Sequence, residues 1–168
     1  MGNMTIARAH PSTSNPIDIV EELVSANEWT FDRASDEEMV VEVVGRWAGY
    51  RMHFVWQRDL SAMYFSCLLD IKVPGQKRAA ANELLALINE KMWLGHFEIA
   101  SEDGGPMFRH TVLLRGHVGA SVEQVEDLVD IAVAECERFY PAFQFVLWGG
   151  RTAADAVAAS MLDTVGEA

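Results

Sequence analysis

Cysteine is scarce: Cys67 and Cys136 are the two in 168 residues, far apart in the chain and each set in an apolar stretch. Two thiols cannot build the disulfide framework of a small secreted scaffold. With no CxxC and no Cys/His ligand spacing, they supply no zinc site either. They read as small buried hydrophobes in a reducing compartment. Basic residues are also few, 13 Lys and Arg against 25 Asp and Glu, for a formal net charge of -12. That balance argues against nucleic acid as a partner, because phosphate contacts need clustered Lys and Arg. It argues equally against an anionic membrane surface. The segment from Met1 to Pro16 has no apolar core, so it is not expected to act as a secretory signal. Met1-Gly2-Asn3 opens like a myristoylation start, but the residues after it match that pattern poorly. No stretch is long and apolar enough to span a bilayer. A cytoplasmic location is expected.

What the chain does contain is apolar material, 50% of its residues, with 23% charged. That excludes wholesale disorder and is ample for one core in one domain. Residues 1–14, rich in Ser, Thr, Asn and Pro, read as a flexible arm, and 15–165 as a single domain. Asn15-Pro16 caps a helix running to about Asn27, with Ile17, Val20, Leu23 and Val24 as its buried stripe. From Trp29 to Ile71 the period changes to two. Met39 to Trp47 and Tyr50 to Gln57 read as a hairpin about Ala48-Gly49, and Ala62 to Ile71 as a third strand. In a tight register Val41, Val43 and Trp47 share a face with Tyr50, Phe54 and Trp56. Glu42, Arg46, Arg51, His53 and Gln57 then take the other. Alanine suits a two-residue turn poorly, so a wider loop stays open.

Gln76 to Leu94 returns to helical spacing and Gly95 ends it. Strands His96 to Ala100 and Phe108 to Val118 form a second hairpin around Glu102-Asp103-Gly104-Gly105-Pro106. Ser121 and Gln124 make a capping box for the next helix. Pro141 is expected to interrupt that helix, leaving a short apolar segment, Phe143 to Trp148, before an alanine-rich helix to Leu162. The expected fold is therefore α+β, a single antiparallel sheet of about five strands with helices packed on it. Its order is α-β-β-β-α-β-β-α plus a C-terminal helix.

Catalytic signatures are absent. There is no HxH, HxxxH or HExxH, no GxSxG elbow and no GxxxxGK[ST] loop. His53 and His110 approaching across the sheet, with Glu42 or Glu98, would be needed for a metal site, and Cys67 beside His53 for a nucleophile. Strand histidines and core thiols are the simpler reading of both. Neither a cofactor nor an enzyme activity is expected. Arg46 and Arg51, opposed on neighbouring strands, would repel unless an acid or bound anion lies between them. With Arg151 after Gly149-Gly150 they are the candidate anion contacts. The aromatics Trp47, Tyr50, Phe54, Trp56, Tyr64, Phe65 and Trp93 are expected mainly in the core. The segment carrying Phe143, Phe145, Val146 and Trp148 is apolar on nearly every side. It is covered either by the sheet and last helix or by another subunit, and these four are the candidate interface residues.

The run Ala81-Asn82-Glu83-Leu84-Leu85-Ala86-Leu87-Ile88-Asn89, followed by Gly95-His96-Phe97-Glu98, resembles the YbjN family of bacterial sensory-transduction regulators. So do Arg109 to Leu114, the helix after Ser121, Tyr140-Pro141-Ala142-Phe143 and Trp148-Gly149-Gly150. The resemblance spans roughly Ile17 to Leu162 and carries no catalytic motif. It implies an architecture similar to type III secretion chaperones, which dimerise and hold a partner segment along apolar grooves. Two functional expectations follow. The first is a non-enzymatic, homodimeric, protein-binding regulator or chaperone-like adaptor, with a helix and a sheet edge at the interface and a further protein partner. The second is a small-molecule or anion sensor with a pocket near Arg46, Arg51 and His53.

Overall fold

Asn15 starts the first helix of the computed structural model, which describes residues 12–100 and 104–165. Its side chain accepts from the Ile17 N–H, and Pro16 takes the first helical position, where a missing N–H costs nothing. Helix α1 (Pro16–Ala26) buries the stripe of Ile17, Val20, Leu23 and Val24. Of the expected arm, residues 1–11 lie outside the described residues. Thr13 and Ser14 are held: Thr13 Oγ1 donates to the His117 carbonyl at 3.1 Å and the Ser14 N–H to that of Val118 at 2.7 Å.

The remaining elements are β1 (Thr30–Ser35), β2 (Glu38–Val44), β3 (Gly49–Gln57), β4 (Ala62–Leu69), α2 (Arg78–Asn89), β5 (His96–Ile99), β6 (Pro106–Leu113), α3 (Val122–Leu147) and α4 (Ala153–Val165). All strands join one antiparallel sheet in the order β1-β2-β3-β4-β6-β5. The class and order are those expected, but the sheet has six strands rather than five. The additional one is β1. It is an edge strand that turns only Phe31 and Arg33 partly inward, so its sequence lacks the apolar alternation that marks the others. Strand β6 ends at Leu113 and not at Val118; Leu114 turns inward there, its N–H donating to the Ser61 carbonyl at 2.8 Å.

One face of the sheet is dry. Met39, Val41 and Val43 of β2, Tyr50, Met52, Phe54 and Trp56 of β3, and Met63, Phe65, Cys67 and Leu69 of β4 are all buried on it. Helices α1, α2 and α3 pack on this side and α4 lies against α2 and α3. Phe97 sits at the centre of the core, its ring 5.9 Å from Phe108, 6.1 Å from Phe139 and 5.9 Å from Phe143.

The β2–β3 register pairs Val44 with Gly49, so the connection is the wider loop Gly45 to Ala48. Trp47 therefore leaves the sheet and stays 45% exposed, with the Arg46 guanidinium 5.0 Å from its ring centre. A side chain at Gly45 would overlap the Tyr50 ring and the Glu137 carboxylate, which is why this loop carries glycine where it folds back on the core.

Helix α3 runs unbroken through Pro141. Proline there removes one helical N–H donor, but the surrounding turns are held by burial. Phe139, Tyr140, Ala142, Phe143, Val146 and Leu147 are all enclosed by the sheet on one side and α4 on the other. Tertiary packing outweighs a local cost of about 3 kcal/mol. The expected break at Pro141 is thus corrected, and α3 spans about 39 Å at 1.5 Å per residue.

Between α2 and β5 the chain makes a tight corner. Gly95 has φ +66°, a left-handed conformation that glycine adopts without strain, and a Cβ there would lie 2.8 Å from the Arg109 carbonyl oxygen. Asn89, the last residue of α2, reaches across this corner to the outer edge of β5. Its Oδ1 accepts from the Phe97 N–H at 2.7 Å and its Nδ2 donates to the Phe97 carbonyl at 3.0 Å. One side-chain amide thus stands in for the missing neighbour strand.

Candidate functional site

The face of the sheet away from the helices has no element packed over it among the described residues. Strand alternation dictates what it displays. One rung runs Glu38, Val55, Tyr64, Thr111; the next Val40, His53, Ser66, Arg109, His96; the third Glu42, Arg51, Leu68, Met107, Glu98. The middle strands β3 and β4 place Val55, Tyr64 and Leu68 at its centre, half-buried, with Ser66 only 7% exposed between them. Acids lie on the β2 side, at Glu38 and Glu42. On the β6–β5 side lie Arg109, His96 and a further acid, Glu98.

Charges on this face are largely tied locally. His53 Nε2 lies 2.5 Å from Glu38 Oε1. Arg109 donates to Glu98 Oε1 at 3.2 Å, and its guanidinium stacks 4.9 Å from the Tyr64 ring centre. His96 Nε2 is 3.3 Å from the same Glu98. At the lower end, Gly49 leaves a bare place, and a Cβ added there meets open space. The hollow above it measures about 490 Å³ and is lined by Glu42, Val44, Arg51, Leu68, Asp70 and Lys72, among others.

The expected site residues are distributed unevenly over this arrangement. Arg51 lines the hollow, but it opposes Glu42 and not Arg46. The expected Arg46–Arg51 opposition is therefore corrected: the wide loop takes Arg46 out of the sheet, where its N–H donates to Glu137 Oε1 at 2.6 Å. His53 sits higher on the face, in its pair with Glu38. Arg151 belongs to the helical layer, between α3 and α4, with its guanidinium 4.6 Å from the Phe145 ring centre. Among the candidate interface residues, Phe143 and Val146 are 0% and 1% exposed within the chain's own core. Only Trp148, at 60%, is largely outside; Phe145 is partly covered.

Neither chemical pairing weighed from the sequence is assembled. His53 lies on the open face, whereas His110, opposite Phe65, and Cys67, opposite Met52, lie on the core face. Among the described residues no group of three His, Cys, Asp or Glu side chains is placed to hold a metal ion. Tyr64 and Trp93 also leave the expected aromatic core, Tyr64 to the open face and Trp93 to full exposure. The centre of the open face was missed in the sequence, though Val40, Val55 and Leu68 carried a signal. They are apolar residues at strand positions whose parity points away from the core.

Burial shapes the titration of the core-facing groups. The Tyr50 phenol is pushed up by burial first and by the neighbouring Glu137 carboxylate second. His110 is held below the ordinary imidazole value of 6.5, by burial first and by His96 second. The folded chain therefore resists a proton that the unfolded chain accepts. Stability is fully present above pH 6.5 and drains as pH falls through the lower folded value. Urea midpoints for the wild type are expected to drop more between about pH 7.5 and about pH 5.5 than those of His110→Gln. Equal drops in the two proteins would contradict the assignment to His110.

A single twisted antiparallel sheet with every described helix on one side and a mixed polar and apolar face on the other defines the class, an α+β domain with an open sheet. The chain belongs to the YbjN family, whose description is "Putative bacterial sensory transduction regulator" and whose profile matches residues 16–145. Its fold is similar to that in a crystal structure of YbjN from E. coli, described as "a putative transcription regulator". The two share 12% sequence identity at a TM-score of 0.51, over 76% of this chain and 88% of that one. No curated protein matches the sequence. No described helix is long and apolar enough to cross a membrane.

Proposed function

We propose that the chain is a non-enzymatic, cytoplasmic regulator that acts by binding protein, first of all a second copy of itself, through the open face of its sheet. What carries the proposal is the uncovered, partly apolar centre of that face. This centre is Val55, Tyr64 and Leu68, bordered by Glu38 and Glu42 on β2 and by Arg109 on β6 with Glu98 and His96 on β5. Two copies stacked face to face about a two-fold axis parallel to the strands, between β3 and β4, set each copy's β2, with Glu38 and Glu42, over the other's β6, with Arg109. They also pack the two apolar centres together. The sheet edges offer less. Asn89 occupies β5, and β1 is irregular between Asp32 and Ser35, two devices that keep edges from pairing. On this proposal the open face, rather than a helix and a sheet edge, forms the interface. A chaperone-like adaptor role, with a further protein held on the dimer, rests on the same surface by analogy with secretion chaperones of this element order.

Light scattering after size exclusion tests this. At tens of micromolar the chain is expected to run at twice its 18.7 kDa mass, and Leu68→Lys is expected to weaken the dimer by about tenfold or more. Trp148→Ser, in the helical layer, leaves it unchanged. A wild-type monomer at that concentration, or a dimer indifferent to Leu68→Lys, overturns the proposal. A second, sensor reading is favoured by the hollow above Gly49. There Arg51 and Lys72 are matched by Glu42 and Asp70, a balance suited to a small ligand bearing both charges more than to a simple anion. A ligand seated there raises the melting midpoint of the wild type and not of Arg51→Ala.

A further inference from the structure

The two cysteines, 69 residues apart in sequence, meet in the core with their sulfurs 3.7 Å apart. Cys67 comes from β4 at the centre of the sheet and Cys136 from α3, both wholly buried. Their meeting follows from two periodicities that the sequence shows separately. Cys67 takes a core-facing strand position beside Phe65 and Leu69, and Cys136 lies on the helix stripe that continues Val125, Val129 and Ala132. Packing α3 across β4 brings the two stripes together. Nothing stands between the thiols, and the Cys136 thiol donates to the Cys67 sulfur.

We infer that Cys67 and Cys136 form an oxidation site, a dithiol that closes to an intramolecular disulfide and locks α3 onto β4. A disulfide bond of about 2.05 Å requires the sulfurs to close by roughly 1.7 Å, a movement within reach of side-chain rotation and a small helix shift. The oxidant is a peroxide. One thiol and hydrogen peroxide give a sulfenic acid and water; the second thiol then displaces hydroxide from that sulfur, forming the S–S bond and a second water. Two cysteines are oxidised, one peroxide is reduced, and both thiol protons end in water. Neither sulfur is exposed, so the first step passes through local opening of the α3–sheet contact and is slow beside that of an exposed thiol. The second step is intramolecular and fast.

The test treats the folded full-length chain with hydrogen peroxide, then follows intact mass and peptide mapping under non-reducing conditions. The expected result is a monomer lighter by about 2 Da, a peptide linking Cys67 to Cys136, and reversal by dithiothreitol. The loop closed is 69 residues long, so the oxidised chain is expected to melt about 5–15 °C higher than the reduced one. Cys67→Ser and Cys136→Ser each abolish the mass loss and the shift. The inference is overturned if the folded chain keeps both thiols while the same treatment in urea oxidises them. It is also overturned if the products are sulfinic acids or cross-linked dimers without the internal link.

Discussion

Truncating Phe97 to alanine is expected to cost about 3–5 kcal/mol of folding stability, the range for deleting a buried phenyl ring from a core that cannot collapse around the loss. The ring is 1% exposed and meets Phe108 from the neighbouring strand and Phe139 and Phe143 from α3. It is the place where the short strand β5, the sheet and the long helix close on one another. Three aromatic contacts at edge or tilted angles add to its area term, and a proline-containing helix turn lies directly over it, limiting relaxation. Urea midpoints at constant slope measure the effect. Phe97→Leu, which keeps much of the volume, is expected to cost distinctly less, and Thr111→Ala on the open face to stay within about 0.5 kcal/mol. A Phe97→Ala loss below about 1 kcal/mol would show that this contact is not central to the core.

Asn89→Leu is expected to cost about 2–4 kcal/mol and to promote association, although it removes no core volume. The Phe97 N–H and carbonyl both point away from β6 and find their partners in the one Asn89 amide. Leucine has neither a donor nor an acceptor, so two part-buried backbone groups are left unmade, at about 1–3 kcal/mol each before water repairs some of the loss. The same change uncovers a strand edge. Asn89→Asp discriminates the mechanism: its carboxylate still accepts from the Phe97 N–H but donates nothing to the carbonyl, so an intermediate loss is expected. Equal losses for Leu and Asp would mean that the amide's double contact does not matter. Denaturant midpoints and light scattering report the two effects separately.

Much of the fold was legible because local chemistry and packing agree there. Ser121 and Gln124 form their reciprocal cap, the Ser121 N–H donating to Gln124 Oε1 at 2.9 Å and the Gln124 N–H to Ser121 Oγ at 3.1 Å. The α1 stripe, the second hairpin and the parity of β3 also read directly. The errors fall where a distant element overrules a local signal. Strand β1 has almost no buried face of its own and exists because β2 offers it a partner. Pro141 breaks helices in isolation but not inside a sleeve of sheet and α4. Trp47 looked like a core aromatic until a loop two residues wider put it outside. For the candidate site, Arg51 lies beside a hollow, yet Arg46, His53 and Arg151 do not join it. The wetter face of the sheet, with Glu42, Arg51 and His53 on it, was legible from strand parity, but its apolar centre at Val55 and Leu68 was not. Parity says which residues point away from the core and not how they group across strands.

What the amino-acid order determined by itself was periodic: where the chain alternates, where it coils, which stripe is apolar, and that acids outnumber bases. These depend on neighbours within a few residues, whose geometry the backbone sets locally. Only the tertiary structure decided which stripes face each other. It set Cys67 against Cys136, gave Asn89 the edge of β5, enclosed Phe143 and Val146, and left Val55, Tyr64 and Leu68 uncovered. Such pairings are fixed by the packing of whole elements, whose free energy is shared among many distant contacts and leaves no mark on any short segment of sequence.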